Sequence, residues 1–277
     1  MSAFYSLLSR TGILERVPED LLDAPPAIPG ARLSLRYLGT AGFVVEGAGQ
    51  TLVIDPFVSR PSGRRTLFGR LRPDVASVAR YVPRADHVLV GHSHHDHVLD
   101  APEVCRQTGA VLVGSPDVCN VGRAAGLGPE QMIETLGREP LQLKAASVVG
   151  VPSAHGRVYF NRVSLAGDIV APPPWPPRFT DLRHGLVLNW WIELAGVRIV
   201  HIDTAEFFEE ELQGRTADVL CLCAIGRRYR PDYVADAIRI LRPRVVLPCH
   251  WDLFTTPMEE TPYLLPGVDL AGFVREI

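Results

Sequence analysis

The sequence predicts an α/β protein that is strand-rich in its first third. Short β-branched runs closed by Gly, Pro or Asp recur along the chain, and capped helical segments lie between them. In the second half, "ADVLCLC", "PDYVADAIRIL" and "RVVLPCH" have the spacing of a strand–helix–strand crossover, which requires two parallel neighbours. Pattern alone leaves the sheet topology open.

In chain order, residues 1–30 read as an N-terminal arm. "MSAFYSLLSRTGILERV" lacks the basic start and continuous apolar run of a signal peptide, and "PEDLLDAPPAIPG" is a proline-rich lead-in expected to lie extended on the domain. The domain itself spans 31–277. Its first strands are "ARLSLRYLG", the hairpin pair "FVVE" and "TLVID" around "GAGQ", and "DHVLVGH". Helices are expected at "RPDVASVARYV", at "SPDVCNVGRAAG" with Ser115 as N-cap and Pro116 at the first position, and at "RPDYVADAIRIL". One long strand is expected over 141–152, followed by "GLVLNWWIELAG" and "VRIVHID". Trp190 and Trp191 then fall on opposite faces, one of them in the core. "APPPWPPRF" (171–179) can be neither helix nor central strand and reads as a stiff surface loop with Trp175 as an apolar lip.

The composition narrows the function. Apolar residues make up 47% of 277, enough for a sizeable core. A net charge near −3 with no basic run argues against a nucleic-acid partner. No apolar stretch is long enough to span a bilayer. Five cysteines form an odd count in a long chain, so they read as buried free thiols in a cytoplasmic protein. Lys144 is the only lysine, a bias first attributed to a GC-rich genome.

"GHSHHDHV" packs His92, His94, His95, Asp96 and His97 behind an apolar run, at a strand's C-terminal end where α/β proteins gather ligand sites. Imidazole and carboxylate are the donors of zinc and similar divalent ions. In an irregular turn, positions 92, 94, 96 and 97 can face one small volume. Three more donors follow apolar runs: His155 in "GVPSAHG", Asp203 in "VRIVHID" and His250 in "RVVLPCH". Singly, each histidine is more often a satisfied core residue; together with the cluster they point to a metal centre. His201, two before Asp203, is either a group supporting the site or such a core histidine.

This order of donors resembles the metal-binding pattern of the metallo-β-lactamase superfamily, from about residue 31 to the end. "YLGTAGFVVEGAGQTLVIDPF" (37–57) is similar to the opening of the branch that contains L-ascorbate-6-phosphate lactonase and the N-acylphosphatidylethanolamine phospholipases. The resemblance implies an αβ/βα sandwich, two mixed sheets face to face with outer helices. It implies one metal held by His92, His94 and His155, a second by Asp96, His97 and His250, and Asp203 bridging them. His95 takes the variable position and no metal. Asp55 would orient a ligand histidine. The usual glycine before the bridging aspartate is Ile202 here, which leaves the local backbone less defined.

Two divalent ions, most expectedly Zn2+ with Mn2+ or Fe2+ as alternatives, can share a water and bring its pKa towards ~7. Hydroxide then attacks an ester, lactone, amide or phosphodiester, and Asp96 is the candidate catalytic carboxylate. Arg227, Arg228 and Tyr229 of "RRYRPD" are candidate contacts to a small anionic substrate. Three rivals exist. A TIM-barrel amidohydrolase lacks room for eight βα units after the hairpins of 31–57, and leaves Asp96-His97 without a role. A nuclease of the superfamily is disfavoured by the charge. A metal-bound sensor without catalysis is disfavoured by the complete donor set. A homo-oligomer stays open.

Overall fold

The computed structural model describes residues 14–17 and 30–277. Of the expected 18–30 lead-in, all but Gly30 lies outside the described residues. Residues 14–17 run beside 262–264: Arg16 bridges Tyr263, and the Val17 amide donates to the Pro262 carbonyl at 3.3 Å.

Among the described residues, two six-stranded sheets follow each other in the chain. The first contains β1 (Leu33–Gly39), β2 (Gly42–Gly47), β3 (Gln50–Ile54), β4 (His87–Leu89), β5 (Val111–Gly114) and β6 (Met132–Glu134), hydrogen-bonded in that order. β1 to β3 are antiparallel; β3 to β6 are parallel. The second contains β7 (Pro140–Leu143), β8 (Ala146–Ser153), β9 (Val187–Leu194), β10 (Val197–Ile202), β11 (Val219–Cys223) and β12 (Val245–Cys249). Again the hairpins come first and the parallel pairs last. The crossover joining β11 to β12 is helical, as the spacing predicts.

Period-two alternation assigns the faces. Phe43, Val45, Leu52, Ile54, Leu89 and Val113 share one core with Val148, Leu188, Trp190 and Ile192 of the other sheet. Their alternate neighbours Val44, Val53, Val88 and Leu112 pack outward with Val78, Val104 and Val121 of the helices. Those helices are α2 (Val75–Tyr81), α4 (Ala101–Thr108) and α5 (Pro116–Ala124); α1 (Gly63–Phe68) and the single turn α3 (His95–Val98) complete the first half. α6 (Glu209–Leu212), α7 (Tyr233–Leu241) and α8 (Leu270–Glu276) belong to the second. The layers are those of the αβ/βα sandwich. Burying a side chain such as Phe43 or Leu52 in the shared core contributes about 1.5–3 kcal/mol. Trp190 is fully buried, whereas Trp191 lies half-buried with its Nε1 donating to the Thr216 carbonyl at 3.1 Å.

The hairpin "GAGQ" turns through Ala48 and Gly49, both at positive φ, the geometry that suits a two-residue hairpin. The strand expected over 141–152 is instead two strands reversing at Lys144–Ala145. No Gly or Pro marks that turn. Lys144 adopts positive φ while its ammonium reaches the Gly49 carbonyl and the Asp86 carboxylate, both at 2.8 Å. Among the described residues, no helix is long and apolar enough to cross a membrane. All five cysteines are free and buried, and burial pushes Cys105 and Cys119 up to about 12.

Candidate metal centre

Five strand ends converge at one edge between the sheets. β3 delivers Asp55, β4 the 91–98 segment, β8 His155, β10 Asp203 and β12 His250. The cluster is not wholly irregular, since His95–Val98 forms one helical turn with His94 at its N-cap. Close approach dictates Gly91: a β-carbon there would collide with the Asp203 carboxylate.

Donor atoms of His92, His94 and His155 lie mutually within 4.8 Å, as do those of Asp96, His97 and His250, and those of His92, His97 and Asp203. Asp203 thus stands between the two groups, its Oδ2 2.7 Å from His92 Nδ1 and 3.8 Å from His97 Nδ1. His92 Nε2 is 3.0 Å from His94 Nδ1. His97 Nε2 faces His250 Nε2 at 3.2 Å, with Asp96 Oδ2 3.3 Å from the latter. Ring nitrogens packed this close to one another and to a carboxylate are suited to a cation between them. Among the described residues, three buried donors, His94 Nε2, Asp203 Oδ1 and His250 Nδ1, have no hydrogen-bond partner. The residues fit divalent metal.

Electrostatics agree. Burial lowers the pKa of His92 and His94, and their histidine neighbours lower it further; burial brings His155 down to about 4. These imidazoles are neutral and ready to donate a lone pair. For His97, burial acts downward, yet Asp96, Asp55 and Asp203 outweigh it and raise the pKa to about 9. The field at that position therefore favours positive charge. Burial pushes the Asp96 carboxyl up, but His97, His95 and His250 hold it well below its ordinary value, so it is ionised.

Partners fix the rings. Asp55 accepts from His97 Nδ1 at 2.9 Å and, through its other oxygen, from the Gly91 amide at 2.8 Å. His155 Nδ1 donates to the Gly156 carbonyl at 2.7 Å, freeing Nε2 for the cluster. His201 does not touch a donor of the centre; its Nε2 donates to the Ala41 carbonyl at 2.8 Å. That turn also receives the His250 amide on the Thr40 carbonyl. His95 sits edge-on to Phe57, Phe179 and Phe254, with Nδ1 3.4 Å from Asp96 Oδ1.

None of Arg227, Arg228, Tyr229 and Trp175 lines the cleft over the centre. Arg227 pairs with Asp269 and Glu276, both at 3.4 Å, and Arg230 with Glu206 at 2.7 Å. Arg228 donates to the Tyr229 hydroxyl at 2.7 Å and, among the described residues, has no acidic partner. Trp175 packs instead against buried residues around Phe57 and Leu71.

Two supporting groups escape the sequence reading. His184 stacks on His155 with centroids 5.6 Å apart, and its carbonyl accepts the Ser93 amide at 3.1 Å. Its ring donates to the Gly185 carbonyl at 2.6 Å, repeating the His155–Gly156 arrangement. The shared "HG" dipeptide is the available signal. Asp252, two residues after His250, accepts from Tyr37 and the Thr40 amide at 2.7 Å and pairs with buried Arg60 at 2.6 Å.

Fold and donor set together define a metal-dependent hydrolase of β-lactamase type. A family model described as "Beta-lactamase superfamily domain" matches residues 34–250. A UPF0173 metal-dependent hydrolase of Pyrobaculum arsenaticum is 30% identical over 227 residues, covering 80% of this chain and 85% of the relative. Another, from Methanopyrus kandleri, is 28% identical over 235 residues, covering 83% and 88%. The chain belongs to the metallo-β-lactamase superfamily, within the UPF0173 metal-dependent hydrolases. Among solved structures its fold is similar to Igni18, a metallo hydrolase from Ignicoccus hospitalis, with TM-score 0.58, 23% identity and coverage of 88% and 89%.

Proposed function

We propose that this hydrolase works with two divalent ions, most simply Zn2+, on a small-molecule ester, lactone, amide or phosphodiester. The observation that carries the reading is the pair of three-donor groups with Asp203 between them. His92, His94 and His155 would hold one ion, Asp96, His97 and His250 the other, and Asp203 both. The ions would supply Lewis-acid activation of water and of the substrate's carbonyl or phosphoryl oxygen.

The chain's own groups orient and relay. Asp55 holds the His97 ring with Nε2 turned inward. Asp96 lines the cleft and stays ionised; we assign its carboxylate to receive the proton of the attacking water. An anionic substituent of the substrate would lie towards the rim at Arg228, whose charge acts on the nearby Tyr159 hydroxyl. The resemblance of 37–57 to the lactonase and phospholipase branch supports an oxygen ester over an amide. The five free, buried cysteines support a cytoplasmic setting.

The test is elemental analysis of purified protein, then a panel of lactones, phosphodiesters, esters and acyl amides. Two ions per chain and metal-dependent turnover of one class are expected. Failure to retain any metal after reconstitution sinks the reading.

A further inference from the structure

The cleft that opens over the donors has a second, chemically distinct half. It encloses about 210 Å³. One end is the donor cluster; the rest is mostly apolar, walled by Val158, Leu165, Phe179, Ile225, Phe254 and Leu265, with Tyr159, Ser164 and Thr204 as its uncharged polar members. None of the described residues lining it is Arg or Lys, and its charged side chains all belong to the cluster. Phe254 stands edge-on to His250 at 5.3 Å between centroids and to His95 at 6.2 Å, so the apolar wall begins directly beside the donors.

We propose that this wall is the specificity subsite, and that it takes an apolar acyl, alkyl or aryl group attached to the reacting centre. This rests on the hydrolase reading above and names the part of the substrate that the donors leave undefined. A carboxylate or phosphate placed there would lose its water and find no Arg or Lys among the described lining residues, which disfavours it. An apolar group gains instead, by roughly 0.8 kcal/mol or about fourfold per buried methylene. The whole cleft, donor end included, has the volume of roughly seven waters at ~30 Å³ each, so the apolar half takes only a short tail. The cations of the 227–230 loop stand outside this volume, so an anionic group, where present, belongs at the rim and not beside the scissile bond.

Hydroxamates test this without turnover, because their head binds metal and their tail reads the wall. Zinc-loaded protein is titrated calorimetrically with acetohydroxamate, hexanohydroxamate, benzohydroxamate and the hydroxamate of succinic acid. Hexano- and benzohydroxamate should bind at least tenfold tighter than acetohydroxamate, with succinate's derivative the weakest or near it. Leu165→Glu and Phe254→Ala should flatten the series; Phe254→Leu should keep it if the alanine variant fails to fold. A flat wild-type series, tightest binding by the succinyl compound, or no binding by any of them overturns the subsite. A steep series in a protein that hydrolyses nothing on the substrate panel leaves the subsite standing and removes the proposed reaction instead.

Discussion

His97 Nδ1 lies 2.9 Å from Asp55 Oδ2, and that contact decides which way the ring's other nitrogen looks. With Nδ1–H donated to a carboxylate that the Gly91 amide already anchors, Nε2 faces His250 and Asp96. Removing such an orienting carboxylate typically costs 10–100-fold in metal affinity. Asp55→Ala should therefore weaken the Asp96–His97–His250 position by about that factor and spare the His92–His94–His155 position. Competition with a chromophoric chelator distinguishes them: one affinity should fall and one should hold. Equal loss at both would mean that Asp55 supports the fold of the whole edge.

Neighbouring histidines should differ sharply. His94→Ala removes a donor and should abolish metal-dependent hydrolysis, and His97→Ala should do the same. His95→Ala should leave metal content near the wild-type value, because that ring packs against Phe57, Phe179 and Phe254. Its cost should appear in stability, on the order of 1–3 kcal/mol for a buried ring lost among aromatics. Elemental analysis beside a denaturation midpoint separates the two effects, and metal loss from His95→Ala equal to that from His94→Ala defeats the assignment.

The donors were legible in the sequence because each follows an apolar strand, and a strand's end is visible in one dimension. Asp55 was legible for the same reason. Arg60 and Asp252 were not: they meet across 192 positions, and nothing local to "SRPSG" or "HWDLF" announces a buried pair. The reversal at Lys144–Ala145 was hidden because both arms keep strand composition and the turn uses neither Gly nor Pro. Helix Ala101–Thr108 had its signals, with Asp100 before it, Pro102 in its first turn and Gly109 at positive φ after it, but the adjoining histidines dominate that stretch. The setting of the arginine loop was hidden for a different reason. Charge is visible in sequence, whereas the acids that pair with Arg227 and Arg230 come from other elements.

Asp203 should couple the two metal positions. One oxygen lies 2.7 Å from His92, and the other is buried with no hydrogen-bond partner among the described residues. Asp203→Ala should lower occupancy of both positions together, whereas His155→Ala should empty only its own. Metal titration followed by a spectroscopic substitute such as Co2+ reads this directly. Retention of one ion at wild-type affinity in Asp203→Ala would show that the carboxylate serves a single ion.

The Arg60–Asp252 pair gives the last prediction, since it braces the turn that carries His250. Both side chains are almost fully buried and 2.6 Å apart. Burial pushes the Asp252 carboxyl up, but the Arg60 charge and hydrogen bonds from Tyr37, Arg60 and Thr40 hold it below its ordinary value. A depressed carboxyl contributes stability that is present above its unfolded pKa, near 4, and is lost as pH falls through the lower folded value. Arg60→Leu leaves the carboxylate buried and unpaired, which costs about 3–5 kcal/mol, or roughly 6–15 °C in Tm at neutral pH. Burial then raises the same carboxyl, so lowering the pH towards 4 relieves the variant while the wild type keeps its contribution. The stability gap should therefore narrow as pH is lowered from 7 towards 4, in melts of the two proteins side by side. A gap that stays constant over that range would show that lost packing, and not the stranded charge, accounts for the damage.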